Sequence, residues 1–295
     1  MSIRSSDRVV FNILIYTIVT IVAIVCLFPF VMLVSASFSD EWEILRTGYG
    51  LWPKGFTLEA YSIIFQNPES VARAYVVTII VTAIGTFCAL FFMTMAAYAL
   101  SNRQFKWRNK FSFFFFFTTL FSGGVVPWYI MITKYLHMKN TFAVLIVPYM
   151  FSVFYMIILR SSMSALPDAL RESARIDGAG EFRILFQLII PLSLPSIATI
   201  CLFVALNYWN DWYLSMLFIS DTDKYTLQYL LYRTLGSIQG LKMAIANGAN
   251  INVSAIPTET LKNAMAVVAT GPILLLYPFV QKYFVKGLTI GAVKG

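Results

Sequence analysis

The chain has 295 residues, 59% of them hydrophobic and only 12% charged, with a formal net charge of +8. A soluble domain carries about 25% charge, so an ordinary soluble globule is excluded. The apolar residues stand in long blocks without the alternation of a membrane barrel, which leaves an all-α polytopic membrane protein.

Residues 1–10 are polar and include Arg4 and Arg8. The apolar run 11–35 that follows is long enough to cross a hydrocarbon core, which takes about 20 residues. A signal peptide ending near Ser35-Ala36-Ser37 is the other reading of this start. The run exceeds the roughly 7–15 residues of a signal core, so it is expected to remain as the first span. Residues 37–70 read as a polar, aromatic loop. Residues 71–100 form the second expected span, where Gly85 and the small residues of 94–99 allow close helix approach. A short basic loop, 101–110, leads to a third span at 111–133, interrupted by Gly123, Gly124 and Pro127. Such breaks are tolerated where protein or a wet cavity surrounds the backbone. Further spans are expected at 141–159, 192–219 and 263–284, six in a single transmembrane domain. Between the last two lies a polar segment with a helix near 227–235.

The chemistry-bearing residues are sparse. Cys26, Cys88 and Cys201 sit inside apolar blocks without pairing or metal-ligand spacing, and are expected as buried small hydrophobes. His137 stands alone in a short loop. No paired acids or histidine cluster occur, so no catalytic residue, enzyme activity or metal site is expected. No Walker-type phosphate loop is present, so no cofactor is expected, and any ATP and Mg would be bound by a separate polypeptide.

One polar stretch, 166–183, interrupts the apolar blocks: Leu166-Pro-Asp-Ala-Leu-Arg-Glu-Ser-Ala-Arg-Ile-Asp-Gly178, continuing to Arg183 and on to Pro191. Pro167 and Asp168 suit a helix start. Leu166, Leu170, Ala174 and Ile176 are expected to form an apolar side, with Arg171, Glu172 and Arg175 on a charged one. Gly178 suits the helix stop. The stretch resembles the EAA motif of ABC importer permeases. Glu172-Ser173-Ala174 stand for Glu-Ala-Ala, with Ser173 a departure; Asp177 precedes the matching Gly178, and Leu188 and Ile190-Pro191 stand for the closing Ile-x-Leu-Pro. That resemblance implies a cytoplasmic coupling helix that docks on an ATPase, with Arg171, Glu172, Ser173, Ala174, Asp177, Gly178 and Pro191 as coupling residues and Glu172 meeting a basic residue of the ATPase. Surface pairing of Glu172 with Arg175 is the plainer alternative.

Orientation follows from charge. With both termini cytoplasmic, thirteen of the 22 Lys and Arg lie inside against five acids, while the outer side holds nine of each. The positive-inside rule therefore favours a multi-pass cell-membrane protein with 166–183 in the cytoplasm. The positive charge reads as orientation, and nucleic acid is not an expected partner.

The whole chain resembles the maltose-type, MalG-like carbohydrate permeases. Pro127-Trp-Tyr with Asn140-Thr141, Tyr208-Trp-Asn-Asp-Trp212 and the tail Val285 to Gly295 carry the likeness, the tail leaning toward the branch that takes oligosaccharides of complex polysaccharides. The resemblance implies the six-helix type I ABC importer fold, a second permease subunit, a homodimeric cytoplasmic ATPase, an extracytoplasmic sugar-binding protein and a lipid bilayer around them. It also implies that tail residues Gly287, Gly291, Lys294 and Gly295 reach the ATPase, a frayed terminus being the alternative.

Asp211 is the acid nearest the middle of an expected span, where charge is costly. Asn207 lies four residues before it on the same helical face, and Trp209, Asn210 and Trp212 surround it. Amides, a carboxylate and indoles suit a sugar path; an interfacial aromatic belt is the other reading. At the level of function, the importer subunit competes with a secondary transporter or channel, with a permease for a non-sugar solute, and with a membrane enzyme. The single intramembrane acid and the absence of clear inverted repeats favour the importer.

Overall fold

The structure is a computed structural model and describes residues 5–246 and 257–273. Among the described residues there is no strand. The helices in chain order are α1 (Ser5–Ser37), α2 (Glu41–Thr47), α3 (Glu59–Ile64), α4 (Pro68–Ser101), α5 (Arg108–Thr118), α6 (Val125–Ile130), α7 (Phe142–Ile146), α8 (Val153–Ser164), α9 (Asp168–Ile176), α10 (Glu181–Ile184), α11 (Ile190–Leu192), α12 (Leu194–Trp209), α13 (Tyr213–Phe218) and α14 (Leu227–Ala246). A further helix, α15, covers residues 259–273. The described residues fall into two compact units, one within Met1–Pro68 and Arg233–Pro272, the other within Glu69–Tyr232 and Ile273–Gly295.

In the first unit, residues 9–31 of α1 are exposed, and burial among the described residues begins only at its end, with Ala36 at 1% exposure. Cys26 is accordingly exposed on that helix rather than buried as expected. The stretch 37–70 also departs from a plain loop, because it contains α2 and α3. Asp40 caps α2, its Oδ1 accepting the N–H groups of Trp42 at 2.9 Å and Glu43 at 3.2 Å, as N-cap residues do. Glu41 points the other way and is buried at 6% exposure. Its carboxylate accepts the backbone N–H groups of Thr258, Glu259 and Thr260 at 2.9, 3.0 and 2.9 Å, and the Thr260 hydroxyl at 3.1 Å. An acid thus closes the N-terminus of α15, where orphan donors and the helix dipole favour negative charge.

The second unit holds the core, built from residues between Val77 and Tyr225. Its longest element, α4, has 34 residues and so runs about 50 Å. Gly85 lets α12 come close: a Cβ there would lie 2.6 Å from the Tyr208 ring. Tyr208 is 1% exposed and donates its hydroxyl to the Ile146 carbonyl at 2.8 Å.

Several expected spans are interrupted. Residues 111–133 are divided between α5, an irregular stretch with Gly124 at φ 82°, and α6 with the π turn Met131–Tyr135. Phe142–Tyr149 and Val153–Ser164 meet at 50°, and Glu181–Leu192 meets Leu194–Trp209 at 83°. The run 192–219 is not one helix either, since α12 ends at Trp209 and α13 starts at Tyr213. Among the described residues, two helices, Val9–Ser37 and Pro68–Ser101, are long and apolar enough to cross a membrane, or up to four if each bent pair is one span. The six-span count is not read from these lengths, and much of 263–284 lies outside the described residues.

Candidate functional site

The segment 166–183 folds into α9, a turn and α10. Pro167, with φ −59° and ψ 131°, sets the start, and Asp168 occupies the first turn. The end is a full Schellman motif. Gly178 takes φ 79°; its N–H reaches the Arg175 carbonyl at 3.0 Å, and the Ala179 N–H reaches the Ala174 carbonyl at 2.9 Å. A residue with a Cβ is strained at that φ.

The two faces of α9 differ from the expected division. Leu166 and Ala174 do pack against the core. Arg171, however, is 4% exposed, while Ile176 is 87% exposed. The Arg171 guanidinium donates to Ser101 Oγ at 2.9 Å and to the Met163 carbonyl at 3.1 Å, and lies 5.5 Å from the centre of the Tyr98 ring. Helical spacing explains the correction: Arg171 stands three residues before Ala174 and shares its side, whereas Ile176 stands four after Glu172 and shares the outer one. Glu172, Ser173, Asp177 and Gly178 are exposed. Arg175 does not turn to Glu172. It bonds Glu181 Oε1 through Nε at 3.0 Å and Nη2 at 2.8 Å, and also bonds Gln104. Glu181 accepts the Tyr98 hydroxyl as well. Burial pushes the Glu181 carboxyl up, but the Tyr98 and Arg175 hydrogen bonds outweigh it and hold it below the usual glutamate value. Pro191 lies in α11, just before the 83° bend. Gly287, Gly291, Lys294 and Gly295 lie outside the described residues.

The second expected cluster is rearranged by the break after α12. Asn207 is still on α12, but Asn210 and Asp211 lie beyond its end, so Asn207 and Asp211 do not share one helical face. Asp211 Oδ1 accepts the Tyr149 hydroxyl at 3.0 Å, and Oδ2 accepts the Leu214 N–H at 3.2 Å. The acid, one residue before the N-cap Trp212, therefore ties the first turn of α13 to the segment after α7. Its own carbonyl accepts the Thr226 hydroxyl at 3.0 Å. Trp209 is buried at 5% exposure and offers no free stacking face, while Trp212 is 37% exposed and stacks on Tyr232 at 4.6 Å. Asn207 and Asn210 are exposed, and Asn210 Oδ1 accepts from Gln228 at 3.3 Å. Among the described residues no group of His, Cys, Asp or Glu could hold a metal ion.

Sequence reasoning missed the network that runs from buried Tyr98, Ser101 and Arg171 to exposed Glu181, and the Glu41 cap. The first was signalled by the position of Arg171 beside Ala174 on the helix. The second had no local signal, because the partners are 217 to 219 residues apart.

Membrane-length apolar helices with an amphipathic, glycine-ended helix among them define a helical membrane protein, and the family match gives its class as a membrane transport subunit. Residues 93–290 match the family described as binding-protein-dependent transport system inner membrane component, and the chain belongs to that family. It is 38% identical over 288 residues to the polygalacturonan/rhamnogalacturonan transport system permease protein YtcP of Bacillus subtilis (strain 168), covering 97% of this chain and 98% of the relative. It is 30% identical over 279 residues to the trehalose/maltose transport system permease protein MalG of Thermococcus litoralis, covering 93% and 94%. A chain from the crystal structure of a bacterial ABC transporter involved in the import of the acidic polysaccharide alginate aligns with a TM-score of 0.76 at 27% identity, covering 96% of this chain and 99% of that one.

Proposed function

We propose that the chain is the permease subunit of an ATP-driven, binding-protein-dependent importer of oligosaccharides. The observation that carries this reading is α9. Its end is set by the Gly178 Schellman motif, and it presents Ile176 at 87% exposure among exposed Glu172, Ser173 and Asp177. A bare isoleucine ringed by polar residues is the composition of a docking surface. The family match supports a cytoplasmic ATPase as the partner of that surface; in this reading the ATPase is a homodimer that binds ATP and Mg, and this chain does no bond chemistry. The sugar-linked relatives support an oligosaccharide as the solute. A second permease and an extracytoplasmic binding protein complete the complex.

ATP-driven closure of the ATPases displaces α9, and the chain responds by favouring one of two access states, each solute or nucleotide acting only through its differential affinity for them. Asn207, Asn210 and Trp212 are the members of the second cluster that a solute could meet. The tail residues Gly287, Gly291, Lys294 and Gly295 are assigned to the ATPase contact by family likeness alone.

Two measurements test this reading. Purification of the tagged chain in mild detergent should bring down a second permease and an ATPase, and a panel of oligosaccharides should include a ligand for the co-encoded binding protein; isolation of the chain alone contradicts it. For orientation, Trp52, 83% exposed, and exposed Asn109 serve as reporters. In a cysteine-free background, an impermeant reagent should label Trp52→Cys and spare Asn109→Cys in intact cells; the reverse pattern inverts the topology.

A further inference from the structure

We infer that Arg171, with Tyr98 and Glu181, is a positioning residue that fastens α9 to the C-terminal end of α4, so that the two helices move as one body. The starting observation is an omission in α4 itself. Its last turn contains no basic residue, although the carbonyl end of a helix favours cations. Two guanidiniums from other segments fill that need. Arg160 Nε donates to the Leu100 carbonyl at 3.2 Å. Arg171 donates to Ser101 Oγ at 2.9 Å, and Ser101 Oγ in turn donates to the Tyr98 carbonyl at 2.8 Å.

The attachment has several points, buried at Arg171 and Ser101 and reaching the surface at Glu181 and Gln104. Arg171 is 4% exposed and Ser101 2%. The Tyr98 ring faces the Arg171 guanidinium, a cation–π arrangement. The Tyr98 hydroxyl is bound to Glu181 of α10, and Arg175 of α9 holds both Glu181 and Gln104. Leaving a buried guanidinium without partners is strongly unfavourable, so α9 cannot part from α4 while the core stays closed. One face of α9 is thus turned outward, with Glu172 and Ile176, and the adjoining face is committed to α4. Farther along α4, Gly85 sits against Tyr208, whose hydroxyl holds the Ile146 carbonyl. A displacement of α9 therefore has a continuous packed route to α12 and the end of α7, the physical form in which distant sites couple.

The structural link stands by itself; only its use in ATP-driven transport rests on the proposed function. Spin labels at Ser173→Cys on α9 and Ile84→Cys on α4, both exposed, report the link in a background lacking the native cysteines. In lipid nanodiscs without nucleotide, the labels should give one narrow distance distribution. Arg171→Met should broaden it, Arg171→Lys should narrow it again relative to Met, and Tyr98→Phe, which loses only the hydroxyl, should broaden it mildly. With the copurified ATPase trapped by ATP and vanadate, the parent distance should not shift. The inference is overturned if Arg171→Met and Tyr98→Phe leave the distribution as narrow as the parent, or if the parent distance shifts on trapping. A chain that copurifies with no ATPase contradicts the proposed function, while the nucleotide-free comparison still decides the link.

Discussion

Tyr149 donates its hydroxyl to Asp211 Oδ1 at 3.0 Å while Asp211 Oδ2 holds the Leu214 N–H at 3.2 Å. Both carboxylate oxygens are therefore engaged inside the chain, at the break between α12 and α13. Asp211→Ala should leave two donors unpaired, at a cost of about 1–3 kcal/mol, and lower the melting temperature of the purified protein. Asp211→Asn keeps one acceptor and should cost less. Should Asp211→Asn abolish uptake with its melting temperature unchanged, the carboxylate acts on the solute and not on the fold.

Gly85 is expected to tolerate no side chain. An added Cβ meets the rigid Tyr208 ring at 2.6 Å and must push α4 and α12 apart, an overpacking cost of about 1–3 kcal/mol. Gly85→Ala should lower the unfolding temperature, and pairing it with Tyr208→Ala should recover part of the loss. Additive losses in the double variant would show that the two positions do not collide.

Gly178 behaves differently, because no atom of the described residues lies within 4 Å of a Cβ built there. Its requirement is conformational, set by φ 79°, and a Cβ in the left-handed region costs about 1–2 kcal/mol. Gly178→Leu should fray the end of α9 and impair ATPase copurification while membrane insertion stays normal. Gly178→Asn should be milder, since asparagine visits this region. Equal copurification for all three proteins would remove Gly178 from the coupling surface.

Glu41 gives a pH dependence. Burial pushes its carboxyl up, but the N–H groups of Thr260, Glu259 and Thr258 and the Thr260 hydroxyl outweigh this and hold it below the usual glutamate value. A group whose folded value is lowered stabilises fully above its unfolded value, about 4.3, and loses that contribution as pH falls through the folded value. Glu41→Gln should therefore cost about 1.5–3 kcal/mol at neutral pH, with the gap to the parent closing under acid conditions. A gap that stays constant from neutral pH to about pH 3 would contradict the charged cap.

Much of this was legible in the sequence where one residue type answers one local need. Gly178 was readable as a helix end because few other residues adopt positive φ, and Gly85 as a close approach because small residues permit one. Long apolar runs gave the all-α membrane class. Local pattern failed where tertiary contacts decide. Arg171 reads as a solvent-facing charge until the end of α4 supplies Ser101 and the Tyr98 ring. The break at 210–212 contains neither glycine nor proline, so nothing in periodicity marks it; there Asp211 holds the first turn of α13 through the Leu214 N–H. The α2 helix lies inside the stretch 37–70 that reads as a loop, and the burial of Glu41 depends on a distant helix start.

The central claim is that this chain moves an oligosaccharide only as part of an ATP-driven complex. Its most direct test is uptake of the oligosaccharide identified with the binding protein, measured in proteoliposomes containing the purified complex. The account predicts uptake that requires both ATP and the binding protein and is lost when the ATPase is omitted. Uptake by the chain alone, driven by an ion gradient without ATP, would contradict it.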